Sequence, residues 1–88
     1  MYFQRGSLWL DSAATDIPKS ALKRSTTNGP WRRIVEIVGQ HGLTVPITGM
    51  WQEYRDGAWH TITERRAYAS TASFGRKYTP LTETKEGS

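Results

Sequence analysis

Residues 29–42 read Gly29-Pro30-Trp31-Arg32-Arg33-Ile34-Val35-Glu36-Ile37-Val38-Gly39-Gln40-His41-Gly42, and the fold class turns on them. As a helix, the stretch is capped by Asn28 or Gly29 and has Pro30 in its first turn. Trp31, Ile34, Val35 and Val38 then share one face at the i, i+3, i+4, i+7 spacing, and Gly42 supplies a left-handed stop. As a strand, it offers four β-branched residues, Ile34, Val35, Ile37 and Val38, which favour extended backbone. Strand alternation, however, mixes charged and apolar residues on both faces. The periodicity therefore predicts a helix, and the alternative is a strand that makes the whole domain an all-β meander.

Upstream, residues 16–24 carry a helix-start signature, with Asp16 as cap, Pro18 in the first turn, and Lys23 and Arg24 at the negative end of the dipole. Ser25 to Gly29 breaks that helix, residues 11–15 read as a loop, and Leu8-Trp9-Leu10 is a short apolar plug. Residues 1–7 are set aside as a tag remnant or a flexible N-terminus. Downstream, residues 44–69 form two aromatic, β-rich runs around Asp56-Gly57, a sequence suited to a two-residue hairpin turn. Such a turn pairs Tyr54 with Trp59, Glu53 with His60 and Trp51 with Ile62. Pro46 marks a strand start or an edge. Residues 70–73 read as a turn, 74–79 as a third strand, and 80–88 as a flexible tail.

The expected fold class is α+β: one or two short helices, then an antiparallel hairpin or three-stranded sheet, in the order of a winged helix. The single domain spans residues 8–79. With 88 residues there is room for one core, which buries only about 60–65% of the unfolded chain's surface. Hydrophobic residues make up 36%, so the four Trp must carry much of the packing. A homodimer that shares apolar surface would relieve the shortage.

Composition removes several chemistries. Cysteine is absent, which excludes disulfides, iron–sulfur clusters and thiolate zinc sites. No apolar run approaches the roughly 18–20 residues of a membrane span. The two histidines, His41 and His60, lack a metal-ligand spacing, and no phosphate-cradling or nucleophile-elbow motif occurs. A cross-strand Glu53–His60 pair reads as a surface ion pair rather than an acid/base couple. Neither catalysis nor a cofactor or metal is expected.

Charge supplies the functional expectation. The net charge is +4, but residues 19–77 hold ten Lys/Arg against four acids, or about +6. Lys23, Arg24, Arg32, Arg33, Arg55, Arg65, Arg66, Arg76 and Lys77 are candidate phosphate contacts. Trp9, Trp59, Tyr68 and Tyr78 are candidate stacking or interface residues. The expected function is a small, basic, non-enzymatic nucleic-acid-binding protein, with DNA ahead of RNA as partner. Its character would be that of a phage or bacterial regulator, cytoplasmic or nucleoid-associated. The alternative is a self-associating structural or interaction module that uses exposed aromatics.

Overall fold

The computed structural model describes residues 3–81. It corrects the fold class: the described residues form a five-stranded antiparallel sheet with two short helices, not a winged-helix α+β domain. The strands are β1 (Leu8–Leu10), β2 (Trp31–Ile37), β3 (Thr44–Arg55), β4 (Ala58–Ser70) and β5 (Thr79–Pro80), in the spatial order β4-β3-β2-β1-β5. β1 to β4 are neighbours in chain order, so the meander alternative is the architecture adopted. Helix α1 spans Lys19–Leu22 and helix α2 spans Thr71–Lys77.

Residues 31–37 are the central correction. They form β2, which is paired on one side with β1 and on the other with β3. The helical spacing is coincidental, because both faces of this strand are covered and both therefore carry apolar residues. Val35 and Ile37 point to one face and Ile34 to the other, all three buried. The helix reading leaves Ile37 off its apolar stripe and puts Val38 on it. In the structure Ile37 is fully buried and Val38 is 43% exposed. The stiff β-branched side chains decide the matter once tertiary cover exists on both sides. Gly42 does not end a helix; it turns the chain from β2 into β3.

Two further expectations shift. The helix read over 16–24 contracts to α1, a single turn, as its few residues would favour. The strand read at 74–79 is instead mostly α2, followed by the two-residue β5. Ser70 caps α2, its Oγ accepting from the Ala72 amide at 3.2 Å, and Arg76 and Lys77 sit favourably in the last turn.

The hairpin forms as read. Asp56 and Gly57 take φ values of 54° and 80°, the left-handed pair that a two-residue turn between twisted strands requires. Tyr54 opposes Trp59 and Glu53 opposes His60. The expected Trp51–Ile62 pair does not form. The register shifts between Trp51 and Gln52, Trp51 meets Thr63, and Ile62 becomes the extra residue of a bulge.

The two faces of the sheet differ. On the inner face Val35, Ile37, Val45 and Ile47 pack against Phe74 and Tyr78. Phe3 lies in the same cluster, its ring centroid 4.8 Å from that of Phe74. Trp9 meets Phe74 edge-on at 4.9 Å. The rest of the inner face is crossed by the segment between β1 and β2. On the outer face a smaller cluster gathers Leu8, Ile34 and Met50, with Leu10 and Leu81 against it. Met1, Tyr2 and the tail beyond Leu81 lie outside the described residues.

Candidate nucleic-acid interface

The segment from Asp11 to Pro30 has almost no regular structure, so something must hold it to the sheet. Glu53 does. Its position in β3 faces inward, and it is 1% exposed. Its Oε1 accepts from Ser25 Oγ at 2.8 Å and from the Thr26 amide at 2.9 Å. Oε2 accepts from Thr26 Oγ1 at 3.0 Å, and Arg55 Nε lies 3.4 Å away. Ser25 Oγ also accepts from Trp31 Nε1 at 2.9 Å, which joins β2 to the same knot. Burial works to raise the Glu53 pKa. The Thr26 amide, the Ser25 and Thr26 hydroxyls and the Arg55 charge outweigh it and hold the carboxyl at about 2. Glu53 is thus not the surface ion-pair partner of His60, whose Nε2 lies 3.0 Å from the Arg55 carbonyl oxygen instead.

With its end pinned there, the segment carries α1 over the inner face and leaves a groove between α1 and β4. The groove has a volume of about 770 Å³. Arg24, Arg33 and Arg65 line it against a single acid, Glu64, together with Trp51, Ser20 and Thr63. The three arginines come from the end of α1, from β2 and from β4. Arg24 and Arg65 are exposed and form no ion pair among the described residues. Arg33 is more enclosed, with its side chain 30% exposed. Its Nη1 lies 4.0 Å from Oδ2 of the buried Asp11, a contact too long for a direct hydrogen bond.

Gly49 makes room for Arg33. The guanidinium lies across the strand at this residue, and a Cβ there would come within 2.6 Å of Arg33 Nη2. A glycine isolated within a strand is the signal for such a close approach, and it was available in the sequence. Asp11 gave no comparable sign, because its role depends on β1 lying beside β2.

The other candidate contacts do not join this groove. Arg32 lies on the outer face, because neighbours in a strand alternate. Its Cζ sits 4.3 Å over the Trp59 ring, and its Nε donates to Gln52 Oε1 at 2.8 Å. Arg66 also faces outward, in a hollow of about 430 Å³ shared with Glu36, Thr48 and Glu64, which Arg65 borders as well as the groove. Arg55 pairs with Glu53, Lys23 follows α1, and Arg76 and Lys77 end α2.

The candidate aromatics are equally divided. Tyr78 is buried under Lys77, and Trp9 is half-buried with its Nε1 donating to Ser7 Oγ. Trp59 packs edge-on against Tyr54 at 5.3 Å on the outer face. Tyr68 is 77% exposed.

Among the described residues no three His, Cys, Asp or Glu side chains gather to hold a metal ion, and no helix is long and apolar enough to cross a membrane. Comparison with protein-family models, with curated proteins and with solved structures gave no match.

Proposed function

We propose that the protein binds nucleic acid through the groove between α1 and β4. One observation carries the reading: Arg24, Arg33 and Arg65, far apart in the chain, converge on one concavity without full neutralisation. Converging guanidinium groups suit phosphate oxygens, which they contact through paired N–H donors. Hydroxyls of Ser20 and Thr63 add donors that phosphate and sugar also accept. The approach is not that of a winged helix. The longer helix has seven residues and covers the core, so among the described residues no recognition helix is offered to a major groove.

Binding of labelled oligonucleotides, followed by fluorescence anisotropy between about 50 and 200 mM salt, tests the reading. Three phosphate contacts predict a log–log slope of about −2 on a single strand. The double variant Arg24→Ala/Arg65→Ala should cut that slope to about −0.7. Salt-independent binding, or a double variant that binds like the wild type, would count against the groove.

A further inference from the structure

We infer that the groove takes a single strand rather than a duplex, with one phosphate seated on Arg33 above Gly49. The inference rests on the nucleic-acid reading and narrows its ligand.

The position of Arg33 is the main reason. Arg33 belongs to the central strand β2, and its guanidinium lies over β3 at Gly49, while α1 stands on one side and β4 on the other. A ligand must enter the concavity to reach it. Duplex phosphates lie on a broad convex surface, which would meet the exposed rim arginines, Arg24 and Arg65, but not the floor. A lone phosphodiester backbone is narrow enough to descend. Beside Arg33 it would find Thr63 and the apolar sides of Trp51 and Ile62. Single-strand sites elsewhere combine a basic track with apolar and aromatic walls in this way.

Arg33 is also prepared for an anion. Asp11 lies behind it at 4.0 Å, and Asp11 Oδ1 is buried with no hydrogen-bond partner among the described residues. The carboxylate therefore attracts the guanidinium electrostatically but does not occupy its N–H donors. Gly49 supplies the space in which the fork lies flat. An alanine at 49 would displace Arg33 without altering any charge, and Gly49 needs no positive φ that Ala would resist.

The experiment compares a short single-stranded oligonucleotide, its duplex and a nucleoside monophosphate, each titrated against wild type, Gly49→Ala and Arg33→Lys. Circular dichroism and thermal melting confirm that the variants are folded, and Arg33→Lys covers the case in which Gly49→Ala is not. The expected result is at least tenfold tighter binding of the single strand than of the duplex. Both variants should lose several-fold on the single strand and leave the duplex unchanged. A duplex bound as tightly as the strand, with variants that weaken both alike or neither, would overturn the inference and leave the broader reading standing. A monophosphate competing as well as the oligonucleotide would overturn it in favour of a free nucleotide. Absence of binding by any ligand at low salt would overturn both readings.

Discussion

Glu53 is the residue on which the irregular segment between β1 and β2 depends. A carboxylate taken out of water must find donors, and this one finds them in the backbone and hydroxyls of Ser25 and Thr26. Because its folded pKa of about 2 lies below the ordinary 4.5, its contribution to stability is present above pH 4.5. That contribution is lost as the pH falls from about 4.5 through about 2. Acid unfolding should therefore release the 25–29 segment in this window. Fluorescence of Trp31, whose Nε1 donates to Ser25, should report the release. Glu53→Gln should flatten the acid limb of the stability curve and lower the melting temperature at neutral pH. An unchanged acid limb would mean that the knot contributes nothing. The turn at Asp56-Gly57 puts Glu53 opposite His60, as the sequence predicts, but Glu53 is buried rather than at the surface. Its burial arises from a loop that folds back from more than twenty positions away, and no local pattern records that.

At the scale of the element, legibility followed how local the determinants are. The hairpin was readable because Asp56-Gly57 and its flanking aromatics specify it within a few residues. β2 was not, because its two-sided burial comes from partners that the sequence does not announce. α2 is hidden for a related reason: Phe74 and Tyr78, spaced i, i+4, also suit a strand, although Ser70 is a recognisable cap. Phe74 is the side chain by which α2 closes the inner face. Phe74→Ala should cost about 3–5 kcal/mol, most of the margin of a domain this small. Tyr68→Ala, on an exposed site, should stay within about 0.5 kcal/mol. Denaturant melts of the two variants check the contrast. At the turn, Gly57→Ala forces a side chain into φ 80° and should cost about 1 kcal/mol, seen as a lower midpoint with an unchanged m-value.

At the scale of the whole molecule, the sheet brings residues together that the linear charge pattern could only count. Of nine cationic candidates, three meet at the groove: Arg24, Arg33 and Arg65. The alternation of a strand sends Arg32 and Arg66 to the other face. The rule that consecutive arginines in a strand diverge was legible; which of each pair would face a concavity was not, since that needs the sheet order. The same global pairing sets the core. Phe3 and Phe74 touch although they come from opposite ends of the described chain. A double-mutant cycle with Phe3→Leu and Phe74→Leu should show a coupling of about 0.5–1.5 kcal/mol, whereas independent packing would give additive losses.

That contact has a consequence for how the protein is made. β1 to β4 leave the ribosome in order, but the inner face stays open until residues 71–78 have been synthesised. Until then the nascent chain presents Val35, Ile37, Val45 and Ile47 uncovered, with Phe3 waiting for a partner not yet translated. Folding of the sheet is therefore held back until α2 is available, and a ribosome stalled before α2 would hold a sticky, half-walled sheet for chaperones to shield.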